Sequence, residues 1–288
     1  MDYNTRLRII FFFGILILVA GYEFISPKRR LSVSKAGRWG NNLSIIFLNS
    51  FIVKLLFPIT ALSLAAAAAR NNWGLFHYLN MPLWAEIIFA ILLLDLIIYL
   101  QHLMFHATPL LWRLHMVHHA DLDIDVTTGL RFHPIEIIIS MLIKMAAVAA
   151  LGPPVSAVLA FEIILNGTAM FNHGNISLPR FFDRFLRLLV VTPDMHRVHH
   201  SVSIRETNSN FGFSFPWWDR IFGTYRSQPA LGHQGMSIGI APFRAPEAVT
   251  LPRLLIMPFG RKMGRYSLRH IGADPRKMRP KGMTEVPR

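Results

Sequence analysis

The sequence contains no cysteine and few charged residues. Without cysteine, disulfide bonds and thiolate metal sites are excluded, so histidine, carboxylate or backbone groups must hold any metal ion. Charged residues make up 16% of the 288 positions and hydrophobic residues 52%, whereas a soluble domain has about 25% charged residues. This composition indicates that much of the chain faces lipid.

The charge that is present is mainly positive, with a formal net charge of +14. The basic residues do not interleave with a recognisable nucleic-acid-binding module, so we expect no nucleic-acid partner. They lie beside apolar segments instead, above all in residues 28–38 and in the C-terminal stretch 253–288. Lysine and arginine next to membrane helices favour the cytoplasmic side.

Four apolar regions predict the membrane helices, since a membrane span needs about 20 residues. These regions are residues 9–25, 43–69, 83–105 and 135–171. The first could be a signal peptide, but we favour a retained helix because no convincing cleavage site follows it. Gly152-Pro153-Pro154 divides the last region into two antiparallel arms. The sequence thus predicts an all-α integral membrane protein with four to five transmembrane or hairpin helices.

The basic loop at 28–38 determines the predicted topology. If this loop is cytoplasmic, the helix at 83–105 returns to the cytoplasm, and the interrupted pair of arms comes back to the same side. The histidine-rich segments and the C-terminus are therefore predicted to be cytoplasmic.

Histidines form three clusters whose spacing suits metal chelation. Residues three or four apart share one face of a helix, so each cluster can direct its imidazoles at one point. Neutral imidazole binds iron, zinc, copper and nickel, so the ligand type alone does not select the metal. The clusters are H-x-x-x-H at His102 and His106, H-x-x-H-H at His115, His118 and His119, and H-x-x-H-H at His196, His199 and His200.

Several other polar residues are candidates for the same site. His133 and His173 flank the interrupted pair of arms, and spacing alone leaves open whether they are ligands. Asp95 and Tyr99 share a helix face with the first cluster; Asp95 could accept a hydrogen bond from an imidazole or make a buried helix–helix contact. Further candidates for supporting the ligands are Arg131, Asn172, Asn175 and Asp194, and for Arg131 and Asp194 surface or capping roles are equally open.

Residues 95–225 resemble the fatty acid hydroxylase / sterol desaturase superfamily of membrane di-metal oxygenases. The resemblance covers nearly half the chain and depends on the combination of the three histidine clusters with the segments around them. These segments are Trp112, TGLRFHPIE at 128–136, NHGN at 172–175 and WDRIFGTY at 218–225. The resemblance implies a four-to-five-helix membrane anchor with a cytosolic histidine-rich helical cap, and it adds His133 and His173 to the ligand set.

The superfamily's chemistry implies O2-dependent oxidation of a lipid C–H bond by two iron ions, with zinc possible in the purified protein. Hydroxylation is favoured over desaturation on the breadth of the superfamily alone. Electrons are expected from a separate reductase, ferredoxin or cytochrome b5-like donor, because we find no fused cytochrome b5-like domain, no G-x-G-x-x-G loop and no cysteine. The alternative is a histidine-rich metal transporter or metal-binding membrane protein, although a transporter should place its ligands near mid-membrane.

These expectations divide the chain into three parts. They are an N-terminal helix and basic loop at 1–42, a membrane catalytic domain with the di-metal histidine site at 43–250, and a basic C-terminal tail at 251–288. With no sorting motif evident, the bacterial inner membrane is the expected location.

Overall fold

A computed structural model describes residues 2–264 and 266–268 of the chain. Within these residues the regular secondary structure is helical, apart from two isolated β-bridges, which join Pro27 to Ile176 and Ser201 to Ile238. The prediction of an all-α fold is therefore confirmed. Residues 269–288, most of the predicted basic tail with its C-terminus, lie outside the described residues.

Among the described residues seven helices lie between residues 3 and 172, and six shorter ones follow. The first seven are α1 (Tyr3–Ile25), α2 (Lys35–Leu56), α3 (Ala61–Asn71), α4 (Leu83–Ala107), α5 (Pro109–His119), α6 (Pro134–Leu151) and α7 (Val155–Asn172). The others are α8 (Arg180–Leu186), α9 (Pro193–His199), α10 (Ile204–Thr207), α11 (Trp217–Ile221), α12 (Gly232–Gly235) and α13 (Leu251–Ile256).

Five helical stretches are long and apolar enough to cross a membrane. They are α1, the stretch Lys35–Tyr78 that contains α2 and α3, α4, α6 and α7. Their length and composition confirm the prediction of a multi-pass membrane protein with four to five transmembrane or hairpin helices.

The second predicted helix is divided, which corrects the expectation of one continuous helix at 43–69. α2 begins at Lys35 and ends at Leu56, and α3 begins at Ala61. Pro58 lies between them, where its missing amide hydrogen and its ring prevent a helical turn. The hydroxyl of Thr60 then accepts a hydrogen bond from the amide of Ser63 and caps α3.

The predicted pair of arms is confirmed as α6 and α7. Between them Gly152 has φ +61°, and the carbonyl oxygen of Trp73 lies so close to it that a β-carbon would not fit. Pro153 and Pro154 follow, and α7 begins directly after them. In the membrane α7 packs between α1 and α4, and its Glu162 pairs with Arg8 at 2.7 Å and Lys144 at 2.6 Å.

A cap of short helices and loops covers the ends of α4 and α7. α5 turns back immediately after α4, since Pro109 can occupy the first turn of a helix but cannot extend the preceding one. Trp112 and Met116 of α5 are buried against Leu254, Met257 and Tyr266. The chain up to Tyr266 therefore contributes to the core that supports α5.

Candidate metal centre

Nine buried histidines come together where the cap meets the membrane helices. The last two turns of α4 carry His102 and His106, and α5 carries three more of them. His173 follows α7 directly, and α9 with the residue after it carries the last three, His196, His199 and His200. The exposed fraction of these nine side chains is 5% or less, so the site is shielded from water.

The nine rings form two groups, and either group could hold a metal ion. In each group the potential ligand atoms lie within 4.8 Å of one another. The five-histidine group contains His102, His106, His115, His119 and His199. The four-histidine group contains His118, His173, His196 and His200. α5 contributes to both groups, because His118 and His119 are adjacent and point in different directions.

Six of the nine rings are oriented by a hydrogen bond from Nδ1. Five of the acceptors are carbonyl or amide oxygens, which cannot donate, and the sixth accepts as a carboxylate, so each ring donates and the proton is placed on Nδ1. In the five-histidine group the pairs are His102 with the Phe211 carbonyl (2.8 Å), His106 with Asn208 Oδ1 (3.2 Å), His115 with Glu136 Oε1 (2.6 Å) and His199 with the Ser209 carbonyl (2.8 Å). In the four-histidine group they are His118 with the Arg131 carbonyl (3.2 Å) and His173 with the Ala169 carbonyl (2.7 Å).

This orientation leaves lone pairs facing one another. Nε2 of His102 lies 3.1 Å from Nε2 of His115, and Nε2 of His118 lies 3.1 Å from Nε2 of His173. Because all four rings donate from Nδ1, none of these close pairs has a proton to share. Two imidazole nitrogens that bind one metal ion at about 2.1 Å are about 3 Å apart when they are neighbouring ligands. The donor atoms therefore fit a cation in each group.

Burial also keeps the ligand rings neutral. It lowers the pKa of His115 and of His173 to about 3. Burial together with neighbouring imidazoles holds the pKa of His118, His119 and His199 well below the ordinary histidine value. Since a protonated imidazole cannot bind a metal, these low pKa values leave the rings ready to act as ligands at neutral pH.

His133, a predicted ligand, is placed outside both groups. Its Nδ1 accepts a hydrogen bond from the amide of Ile135 at 3.2 Å, which caps α6. Its Nε2 lies 3.2 Å from the carbonyl oxygen of Leu255, to which it donates. Both ring nitrogens are therefore used by the backbone.

Asp95 and Tyr99 contact the cap and not an imidazole. The Asp95 carboxylate accepts hydrogen bonds from the Trp218 indole at 2.9 Å and from the amide of Ser214 at 3.3 Å. The Tyr99 hydroxyl lies 2.9 Å from Thr224 Oγ1. Of the two roles open for Asp95, the structure places it in a buried contact, between α4 and the segment that follows Phe213.

The other four supporting candidates bind the backbone and basic side chains around the histidines. The Arg131 guanidinium donates to the Val117 carbonyl at 2.9 Å, and its own carbonyl receives His118 Nδ1. Asn172 donates to the Phe213 carbonyl. Asn175 binds the backbone of Arg29, and Asp194 pairs with Lys28 and Arg197.

Three important side chains were not among the predicted site residues. Glu136 and Asn208 each receive the Nδ1 proton of a ring in the five-histidine group. Glu136 could have been noticed as the one acidic residue in an otherwise apolar arm. Arg38 is buried and pairs with Asp121 at 2.7 Å and Asp125 at 2.5 Å. It joins α2 to the loop that follows the second histidine cluster.

A cavity of about 320 Å3 borders the five-histidine group. It lies among α2, α4, α6 and α7, and His102 and His115 form part of its wall. Most of its lining is apolar, including Phe105, Phe132 and Phe213. No histidine of the four-histidine group lines this cavity as it is formed by the described residues. The arrangement gives an apolar ligand access to one of the two groups.

Comparison with known proteins identifies the same region. Residues 87–224 match the model of the fatty acid hydroxylase family. These residues form a fatty acid hydroxylase domain. The superfamily predicted from the sequence is thereby confirmed, and with it, at that level, a lipid-modifying membrane oxidoreductase.

Three relatives of the fatty acid hydroxylase domain have known activities. Ornithine lipid hydroxylase of Rhizobium tropici is 24% identical over 93% of this chain and 80% of its own length. Alkylglycerol monooxygenase of Homo sapiens is 26% identical over 54% of this chain, which spans about a third (34%) of that protein. Cholesterol 25-hydroxylase of Homo sapiens is 28% identical over 61% of this chain and 63% of its own length. No solved structure gives a significant match.

Proposed function

We propose that the chain is a di-iron oxygenase that uses O2 to hydroxylate a C–H bond of a membrane lipid. One iron ion belongs to the five-histidine group and the other to the four-histidine group, and His133 is not a ligand. The observation that carries this proposal is the set of close Nε2 pairs that have no proton between them. A cation removes the repulsion between such lone pairs.

The iron ions supply the activation of O2 and the oxidation of the C–H bond. The protein holds nine neutral ring nitrogens in place and keeps a proton on Nδ1 of six rings by means of fixed acceptors. Its apolar cavity admits the lipid beside His102 and His115 and excludes water. Hydroxylation consumes O2, two electrons and two protons for each alcohol formed and releases water, so a separate reductase, ferredoxin or cytochrome b5-like protein has to deliver the electrons. The names of the relatives, hydroxylase and monooxygenase, favour hydroxylation over desaturation.

Metal analysis and lipid analysis together test this function. We expect about two iron or zinc ions per purified chain and no haem absorption. Cells that express the chain should contain one lipid class with a gain of 16 daltons. His118→Ala and His199→Ala should each abolish that product while membrane insertion persists. Full activity of either variant would contradict the ligand assignment.

We further propose that the metal centre faces the cytoplasm of a bacterial inner membrane. The basic residues at 28–38 support this orientation through the positive-inside rule. Because the chain has no cysteine, single cysteines can report it without background. Arg30 and Asn80 are both exposed and lie on opposite predicted sides. In intact cells an impermeant maleimide should label Asn80→Cys and should label Arg30→Cys only after lysis; the reverse pattern would overturn the orientation.

A further inference from the structure

The cavity beside the five-histidine group is not uniformly apolar. Asn49 from α2, Gln101 from α4 and Glu136 from α6 line it together with the aromatic side chains. Gln101 precedes the ligand His102, and Glu136 contacts the ligand His115 at 2.6 Å. Polar groups therefore reach the part of the cavity that borders the candidate metal ligands.

Each of these three side chains has one buried oxygen without a hydrogen-bond partner among the described residues. These atoms are Asn49 Oδ1, Gln101 Oε1 and Glu136 Oε2. Asn49 and Glu136 are only 5% and 3% exposed. Buried polar groups are nearly always paired in native structures, so three such atoms around one cavity point to a ligand that pairs with them.

The orientation of the Asn49 amide is determined by its surroundings. Its nitrogen lies 2.9 Å from the carbonyl oxygen of Phe132, which can only accept a hydrogen bond. The other end of the amide must therefore be the oxygen, an acceptor. Gln101 Nε2 lies 2.9 Å from Ser140 Oγ. Either orientation of the Gln101 amide leaves one polar atom without a partner.

We propose that the lipid substrate brings hydroxyl or amide N–H donors into this cavity, where Asn49 and Gln101 bind them. This inference deepens the proposed function: the hydroxylated carbon lies in the polar part of the lipid, within a few bonds of a donor. A plain hydrocarbon chain leaves Asn49 Oδ1 and the free end of the Gln101 amide unpaired. A site that is built to bind a hydroxyl or N–H group can reject an analogue that lacks it by up to about 10⁴–10⁵-fold.

Binding of two matched probes tests this proposal without turnover. The probes are 1-O-hexadecylglycerol, which has two hydroxyl groups, and its di-O-methyl ether, which has none. The protein is the full chain in detergent with zinc bound, so that no oxidation occurs. We expect the diol to bind at least tenfold more tightly than the ether. Equal binding of the two probes would overturn the proposal, because water then satisfies the acceptors equally well.

Variants of the two amides assign the preference to these residues. Asn49→Leu and Gln101→Leu should each reduce the ratio of the two affinities to below about threefold. Gln101→Glu keeps an acceptor oxygen and should keep the ratio. Val53→Ala changes an apolar part of the lining and should alter both affinities equally. Metal content and thermal unfolding identify a variant that fails to fold. If Asn49→Leu fails to fold, the comparison of Gln101→Leu with Gln101→Glu still tests the proposal. A ratio that persists in both leucine variants contradicts the assignment.

The position of the new oxygen atom in the product tests this inference independently of the proposed function. Tandem mass spectrometry of the product should place the oxygen on the fragment that carries the donor groups. Oxygen on an unsubstituted acyl methylene would refute the inference while the hydroxylase function stands. A metal-loaded chain that prefers the diol and oxidises no lipid would refute the proposed function while the binding preference stands.

Discussion

The two histidine groups are built in different ways. In the five-histidine group, the Nδ1 atoms of His106 and His115 are oriented by the side chains of Asn208 and Glu136. In the four-histidine group the known acceptors are backbone carbonyls, those of Arg131 and Ala169. The cavity borders the first group and not the second among the described residues.

This difference means that the two groups should respond differently to side-chain substitutions. In the group that faces the cavity, two of the four oriented rings depend on side chains, so single substitutions can change the orientation and basicity of His106 and His115. In the other group the two oriented rings, His118 and His173, depend on backbone carbonyls, which no side-chain replacement removes. We infer that the five-histidine group is the adjustable half of the centre and that the four-histidine group is the constant half.

Removal of one ligand from each group should have the largest effect. We expect His106→Ala and His196→Ala each to reduce product formation by more than about 100-fold. Replacing a residue that only hydrogen-bonds a metal ligand costs about 10- to 100-fold. Each variant should retain about one metal ion per chain, because the other group is intact. Metal analysis of purified protein measures this. Loss of both ions from either variant would show that the two groups do not bind independently.

Replacement of Glu136 should affect only the five-histidine group. Without the Glu136 carboxylate the ring of His115 loses its fixed orientation. Glu136→Ala should therefore weaken the binding of one metal ion, that of the five-histidine group, by about 10- to 100-fold. Glu136→Gln retains an acceptor oxygen and should retain most of the affinity. Glu86, at the opposite end of α4, provides a control in Glu86→Ala. Titration with a chelator measures the affinities, and equal weakening of both ions would remove the distinction between the groups.

Acid should destabilise the folded metal-free protein through both histidine groups at once. The loss of stability should be small near neutral pH and should grow as the pH falls. The pKa of His115 and of His173 is lowered to about 3 in the folded chain, so below pH 6.5 the unfolded chain binds protons that the folded chain does not. Stability therefore falls as pH falls from about 6.5 towards 3, by about 0.4 kcal/mol per histidine between pH 7.5 and 6.5. Thermal unfolding of chelated protein measures this, and a melting temperature that rises on acidification would contradict it.

The histidine clusters could be predicted because their spacing is local. Residues such as His115 and His118 share a helix face whatever the rest of the fold does. His173 stands alone in the sequence; its position after the second arm left its role open, and the resemblance added it to the ligand set. His133 belongs to the same kind of motif, yet its position at the start of α6 turns its ring towards the backbone of Ile135 and Leu255.

The contacts missed from the sequence are distant along the chain. Arg38 was interpreted only as part of the basic loop that sets the topology, but it pairs with carboxylates 83 and 87 residues away. Glu136 meets His115 across 21 residues. No periodicity connects such pairs, so pattern analysis has no signal for them. The break at Pro58 was visible in the sequence, but the apolar residues on both sides of it favoured one span.

Glu23, at the end of α1, bears on the order in which the protein matures. One of its oxygens accepts hydrogen bonds from the amides of Val126 and Asn175, which lie 103 and 152 residues later in the chain. The ribosome makes the carboxylate long before either amide exists, so the full contact cannot form until residue 175 has been synthesised. Contacts between such distant residues form slowly. The attachment of α1 to these two loops is thus a late event in biogenesis.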